Sequence, residues 1–290
     1  MVEKNKSHIF IHLIFVILSI FCICPIFLIL AASFSDDILL RQQGYGLIPR
    51  GFTMEAYEYI FKSPKAILNA YGVSIGVTVI GTVLSLLLTT MLAYALSRQD
   101  FRGRRGLSLV VLFAMMFNAG MVPTYITFVL HYKLRDSMMA LILPYLVAPW
   151  HVFLMRSFLA DTPTSLIEAA RIDGAGEFRT FFQIIIPLSK PALATVGLFT
   201  AFLYWNDWYQ SMLYVENQNM ISLQYYMYRI MNNISFLSSS MFAVGVDLSK
   251  LPNETARMAL CVLAAGPMLV VFPFFQKYFV KGLSVGSVKG

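Results

Sequence analysis

The stretch EAARIDGAGEFRTFFQIIIP, from Glu168 to Pro187, decides how the whole chain reads. It sets Glu168, Arg171, Asp173, Glu177 and Arg179 in close succession between long apolar runs, with a helix breaker at Gly174. Ala169 and Ala170 are strong helix formers with almost no side chain. Gly174 ends a helix cheaply because glycine tolerates positive φ. Upstream, Asp161 or Thr162 is placed to cap the helix, Pro163 suits its first turn, and Ser165-x-x-Glu168 reads as a capping box. The spacing predicts a short charged helix, too polar to cross a bilayer and too short to stand alone. It needs a surface to lie on. On the residues alone two surfaces are equally open, the lipid headgroups and the groove of a partner protein.

The flanking sequence says where this helix sits. Of 290 residues, 58% are hydrophobic and 13% charged, against about 25% charged in a soluble domain. Six segments approach or exceed the roughly 20 residues needed to cross a bilayer. They cover about 9–32, 69–97, 107–130, 137–155, 184–205 and 256–276, with the charged loop 161–183 between the fourth and fifth. The first is longer than the core of a secretory signal, and more spans follow, so it reads as an uncleaved span. The expectation is an all-α polytopic protein with one membrane domain of six transmembrane helices.

Orientation follows from the short loops. Arg98, Arg102, Arg104 and Arg105 stand against one acid, Asp100, which predicts that this loop and the 161–183 segment are cytosolic. Both termini then lie inside. Residues 32–68, 131–136 and 206–255 lie outside. Trp205 and Trp208 fall near the outer end of the fifth span and Trp150 near the inner end of the fourth, as aromatic belts would have it. The net charge of +7 then belongs to cytosolic loops and lipid headgroups rather than to nucleic acid. Gly72 and Gly76 form a GxxxG that predicts close helix packing within the chain.

Several chemistries find no residues to carry them. There is no phosphate-binding G-x-x-x-x-G-K-[ST], no H-E-x-x-H, no G-x-S-x-G and no Cys/His cluster. Cys22, Cys24 and Cys261 lie in apolar runs and read as small apolar side chains, with neither disulfide nor metal expected. His151, alone in the fourth span, reads as a packed, hydrogen-bonded side chain. No carboxylate falls at the middle of a span, where a proton-coupled carrier would place its relay. A chain with these spans, no relay and no nucleotide site reads as a conduit driven by another protein.

At this point the motifs resemble a known family. Glu168, Ala169, Ala170, Gly174, Ile184, Ile186 and Pro187 match the EAA loop of ABC importer permeases, with Ile186 where that pattern usually has Leu. EAARIDGA followed by IPLSKPAL is similar to the sugar-importer branch. So are GMVPTY (Gly120–Tyr125), YWNDW (Tyr204–Trp208), FPFFQKYFVKGL (Phe272–Leu283) and VGSVKG (Val285–Gly290). Nearly the whole chain resembles permeases related to the second membrane subunit of the maltose importer, with complex-oligosaccharide permeases nearest.

The resemblance implies a type I importer permease that catalyses no covalent chemistry. Glu168, Ala169, Ala170, Asp173 and Gly174 would form the coupling helix, seated in a groove of an ATP-binding subunit. Partners would be a homologous second permease, two ATP-binding subunits that hold the ATP and Mg, an extracytoplasmic sugar-binding protein and membrane lipids. The tail VGSVKG would insert between the ATP-binding subunits. This chain itself would carry no cofactor, and the substrate would be an oligosaccharide.

Outside the membrane, Leu223, Tyr226, Met227, Ile230 and Met231 recur at helical spacing, with Gln224, Tyr225, Tyr228, Arg229 and Asn232 on the other face. An amphipathic helix is expected there, then an irregular loop from Asn233 to Pro252. By resemblance, Ser235, Phe242, Gly245 and Asp247 in that loop are candidate contacts for the binding protein. Tyr204, Trp205, Asn206, Asp207 and Trp208 supply the aromatic, amide and carboxylate groups that sugar sites combine. They form the candidate substrate path, with an interfacial aromatic anchor as the competing reading.

Overall fold

The computed structural model describes residues 2–244 and 253–287. In chain order its helices are α1 Val2–Ser33, α2 Asp37–Gln43, α3 Glu55–Ile60, α4 Pro64–Ser97, α5 Arg104–Met116 and α6 Met121–Ile126. There follow α7 Met138–Ile142, α8 Pro149–Ala160, α9 Thr164–Ile172, α10 Glu177–Thr180, α11 Ile186–Leu188 and α12 Lys190–Trp205. The last are α13 Tyr209–Tyr214, α14 Leu223–Val244 and α15 Asn253–Ser287. Among the described residues, extended backbone pairs only in an isolated bridge between Ser35 and Phe52.

Three apolar stretches are single helices long enough to cross a bilayer: Phe10–Ser33, Pro64–Ser97 and Asn253–Phe274. The third, fourth and fifth predicted spans, read as continuous helices, are each broken instead. Arg104–Met116 and Met121–His131 meet at 112°, Met138–Tyr145 and Pro149–Ala160 at 53°, and Glu177–Leu188 and Lys190–Trp205 at 82°. The causes are local. At the first break Gly120 takes φ +86° and its N–H donates to Asn118 Oδ1 at 2.9 Å. Pro144 and Pro149 flank the second, and Pro187 and Pro191 flank the third. A proline removes a backbone donor and clashes with the preceding turn. Counting each bent pair as one span gives six.

The chain divides into two compact units, one holding residues up to Ile67 with Met227–Pro267, the other Leu68–Tyr226 with the stretch from Met268. In the first unit Asp37, 7% exposed, anchors the start of α15. Its Oδ1 accepts from the Glu254 and Thr255 N–H groups at 2.9 and 3.0 Å, and from Thr255 Oγ1 at 3.2 Å. Its Oδ2 pairs with Arg41 at 2.6 Å. A carboxylate satisfies the open N–H groups of a helix start and opposes the positive end of its dipole. The apolar side chains of α1 from Phe10 to Phe27 are largely exposed within this chain, as lipid or partner contact requires.

Among the described residues, two apolar clusters build the core of the second unit. One joins Leu96, Val111, Val152, Met155, Ile185 and Val196. The other joins Val77, Leu141, Ile142, Tyr204, Val215 and Ile221. The close approaches are not where the GxxxG pointed. A Cβ on Gly72 would meet open space, and one on Gly76 would touch Met138 Cε at 3.3 Å. Tight contacts between the long helices fall instead at Gly81, under the ring of Tyr204, where a Cβ would fall 2.7 Å from ring carbons, and at Gly197 against Leu86 at 3.0 Å. Tyr204 is buried, so it can yield only by disturbing its packing and giving up the hydrogen bond its hydroxyl donates to the Ile142 carbonyl at 2.9 Å. Gly81→Ala is therefore expected to lose that hydrogen bond and destabilise the purified protein by about 1–3 kcal/mol. Thermal unfolding in detergent measures it; an unchanged melting temperature would show that the ring yields freely.

Candidate functional site

Helix α9 carries the charged stretch that interrupts the apolar sequence. It starts at Thr164 behind Pro163, which has φ −57° and ψ 125° and offers no side-chain cap. The expected caps Asp161 and Thr162 instead finish the preceding helix, their N–H groups donating to the carbonyls of Phe158 and Leu159. That displaces the predicted start, and the Ser165–Glu168 pair falls inside the helix rather than boxing its end. The helix ends as predicted. Gly174 takes φ +77°. Its N–H donates to the Arg171 carbonyl at 3.0 Å, and the Ala175 N–H donates to the Ala170 carbonyl at 2.9 Å. Both bonds of a Schellman closure are present.

The two faces of α9 differ. Ile167 and Ala170 turn inward, Ala170 to 6% exposure and Ile167 onto the first core cluster. Ala170 thus belongs to the packed face and not, as expected, to an open docking surface. Glu168, Ala169, Asp173 and Gly174 are exposed. So are Leu166 and Ile172, the latter at 86%, and Phe178 at 73% just beyond the turn. A Cβ at Gly174 would meet nothing within 4 Å in this chain. Only the backbone conformation demands glycine there; close approach would have to come from a partner.

An ion network fixes this helix to the end of α4. Arg98 Nε donates to Asp100 Oδ1 at 2.8 Å and its Nη2 to Oδ2. Its Nη1 donates to Glu177 Oε2 at 2.9 Å and to the Tyr94 hydroxyl at 2.8 Å. Arg171, on α9, donates to Asp100 Oδ2 and Glu177 Oε1, both at 2.9 Å. Arg98 is 10% exposed at its side chain, and its partners are about half exposed. Lone surface pairs add little, but linked charges with a bidentate arginine fix geometry. Arg98, and after it Arg171, hold the Asp100 carboxyl well below the usual carboxylate range. A depressed carboxyl keeps its pairing above its ordinary range and loses it only as pH falls through the lowered value, so the network stays charged at neutral pH. Sequence reading took Arg98 and Asp100 only as orientation charges and gave Glu177 no partner. The available signal was the alternation of sign in two segments assigned to one side of the membrane.

At the far end of α12 the five candidate path residues separate. Tyr204 and Trp205 are buried, 3% and 4% exposed, and serve packing. Asn206, Asp207 and Trp208 line a cavity of about 560 Å³ with Tyr145, Trp150 and His151. Asp207 Oδ1 accepts from the Tyr145 hydroxyl at 2.9 Å, and its Oδ2 from the Gln210 N–H at 3.2 Å. Trp150 therefore lies near Trp208, so the two cannot mark opposite faces of the membrane as expected. The helix that carries it starts at Pro149 and runs on to Ala160, past the predicted end at 155. His151 is buried with Nδ1 3.2 Å from Thr200 Oγ1, packed and hydrogen-bonded as expected.

The stretch from Asn233, expected as an irregular loop, continues α14 to Val244. It contains neither glycine nor proline before Gly245, so nothing stops the helix. The predicted amphipathic face holds, with Leu223 and Met227 buried and Tyr228 and Asn232 exposed. Ser235 is exposed and its Oγ accepts from Arg257 at 3.1 Å. Phe242 lies on the helix, while Gly245 and Asp247 lie outside the described residues, as does the tail from residue 288. The tail's start is helical, since α15 runs to Ser287 rather than ending near 276.

Comparison with known proteins agrees with this geometry. Residues 90–285 match the family model described as binding-protein-dependent transport system inner membrane component. The chain is 39% identical over 288 residues to the polygalacturonan/rhamnogalacturonan transport system permease protein YtcP of Bacillus subtilis, covering 98% of this chain and 100% of that one. It is 31% identical over 283 residues to the arabinooligosaccharides transport system permease protein AraQ of Halalkalibacterium halodurans, covering 95% and 94%. Its fold matches a chain in the crystal structure of a bacterial ABC transporter involved in import of the acidic polysaccharide alginate. The TM-score is 0.77 at 30% identity, over 94% of this chain and 98% of that one. With up to six helical spans among the described residues and a charged helix pinned between the fourth and fifth, the chain belongs to the binding-protein-dependent transport system inner membrane components, the permease subunits of ABC importers.

Proposed function

We propose that this chain is the permease of an ATP-driven oligosaccharide importer, moved by ATP-binding subunits through α9. The observation that carries this reading is the outward face of α9. Leu166, Ala169 and Ile172 stand open beside Glu168 and Asp173, on a helix whose other face is packed and whose arginine is tied to α4. An apolar face with acidic flanks, held rigid from behind, suits a protein groove with basic edges better than a layer of headgroups. The ATP and its Mg are held by two partner ATP-binding subunits. A homologous second permease and an extracytoplasmic sugar-binding protein complete the assembly.

The chain lies in the cytoplasmic membrane with both termini in the cytosol. Loop pairing supports the grouping of loops into two sides, and the arginine-rich loop after α4 argues which group is inside. Asp136 accepts from the N–H groups of Glu216 and Asn217, and Arg135 pairs with Glu216, which joins two loops assigned outside. Arg98 and Asp100 meet Arg171 and Glu177, which joins two assigned inside.

The substrate class rests on the relatives' sugar cargoes and on the cavity at Trp208. Tryptophan and tyrosine faces beside Asn206 and Asp207 suit the apolar faces and hydroxyls of a sugar ring. Among the described residues no Lys or Arg lines the cavity, so selection for a uronate carboxylate would fall to other subunits. Uptake of labelled oligosaccharide by cells carrying the complete system tests the reading. Depleting ATP should abolish it, and an ionophore applied with ATP maintained should not. The opposite pattern would identify a secondary carrier.

A further inference from the structure

A second basic cluster lies apart from the coupling network. Arg104 and Arg105 open α5, and Arg156 comes from α8, four residues before its end. With Ser108 they line a cavity of about 590 Å³, and among the described residues no carboxylate lines it. Arg156 Nη1 donates to Ser108 Oγ at 3.4 Å. Among the described residues none of these three guanidiniums has an ion-pair partner, whereas Arg98 and Arg171 are paired. Three like charges gathered without an acid repel one another, and the arrangement calls for an anion from elsewhere.

The rest of the cavity says which anion. Its other walls are Leu109, Leu112 and Phe153, with Leu109 64% and Leu112 42% exposed. On α5 these leucines follow the arginines by one to two turns, toward the membrane interior. The charge therefore sits at the helix ends, level with headgroups, and the apolar wall runs inward from it. A free phosphate would use only the arginines. A phospholipid would use both parts, and basic pockets between membrane helices favour anionic headgroups. We propose that this groove binds an anionic phospholipid of the adjacent leaflet, with its phosphate on Arg104, Arg105 and Arg156 and an acyl chain along Leu109, Leu112 and Phe153. With the orientation given above, that leaflet is the cytosolic one, and the site itself stands whether or not the cargo is a sugar.

The test uses the assembled importer in nanodiscs of phosphatidylcholine with one-fifth phosphatidylglycerol, extracted into mild detergent and read by native mass spectrometry. Wild type should keep phosphatidylglycerol in preference to phosphatidylcholine, and R104Q/R156Q should keep roughly tenfold less. Millimolar inorganic phosphate should not displace the lipid. Three results would overturn the proposal: equal retention by the double variant, displacement by inorganic phosphate, or no retained lipid because a partner subunit covers the groove. The double variant alters neither α9 nor its network, so loss of lipid with ATP-binding subunits still attached separates this site from the coupling role.

Discussion

Gly174→Val is expected to cut substrate uptake more than tenfold while leaving membrane insertion and pairing with the second permease intact. The residue sits at φ +77°, which lets its own N–H and that of Ala175 close α9 with two backbone hydrogen bonds. A β-branched residue held there costs on the order of 1–3 kcal/mol, comparable to what the helix end contributes. The chain would escape by unwinding its last turn, moving Ile172 and Asp173 off the exposed face. Ala169→Trp should do the same by a different route. Ala169 is exposed, so the helix should form and only docking should suffer. Glu168→Gln should be mild, because it removes one charge and keeps the fit. Copurification of the ATP-binding subunits and uptake in cells measure all three. Full retention by both bulky variants would leave α9 as a membrane-surface helix.

Arg98→Ala should give the second large effect, of another kind. It removes the bidentate contact to Asp100, the contact to Glu177 and the bond to the Tyr94 hydroxyl. The outward face of α9 is untouched, so ATP-binding subunits should still bind. What should fail is transmission from α9 to α4, seen as loss of substrate-stimulated ATP hydrolysis by about tenfold or more with basal hydrolysis kept. Arg98→Lys should rescue poorly, since one ammonium cannot reproduce the planar fork. Rescue by lysine would mean that only positive charge matters at this position, and the network would lose its positioning role.

The sequence shows some levels of this structure and hides others. Glycine at 174 and the apolar runs were legible because each rests on a local rule, backbone conformation in one case and length in the other. The bends at Gly120, between Pro144 and Pro149 and at Ser189 were visible as residues, yet hydropathy alone cannot separate a straight span from a broken one. The GxxxG drew attention to Gly72 and Gly76, while the close contact formed at Gly81, because a bulky ring 123 positions away chose its glycine. Tyr204 and Trp205 share a motif with Asn206 and Trp208 but point elsewhere, since α12 ends at Trp205 and the residues after it lie in the turn before α13. The Arg98–Asp100–Arg171–Glu177 network was hidden for the same reason as the capping of α15 by Asp37: both join residues far apart in sequence.

The central claim is that the exposed face of α9 meets a protein. A photoreactive phenylalanine analogue at Ile172, the most exposed apolar position of that helix, reads the contact directly in the assembled importer. Illumination should yield an adduct at the summed mass of this chain and one ATP-binding subunit, changing in yield when ATP binds. Adducts with lipid alone, in a complex that still holds its ATP-binding subunits, would contradict the account.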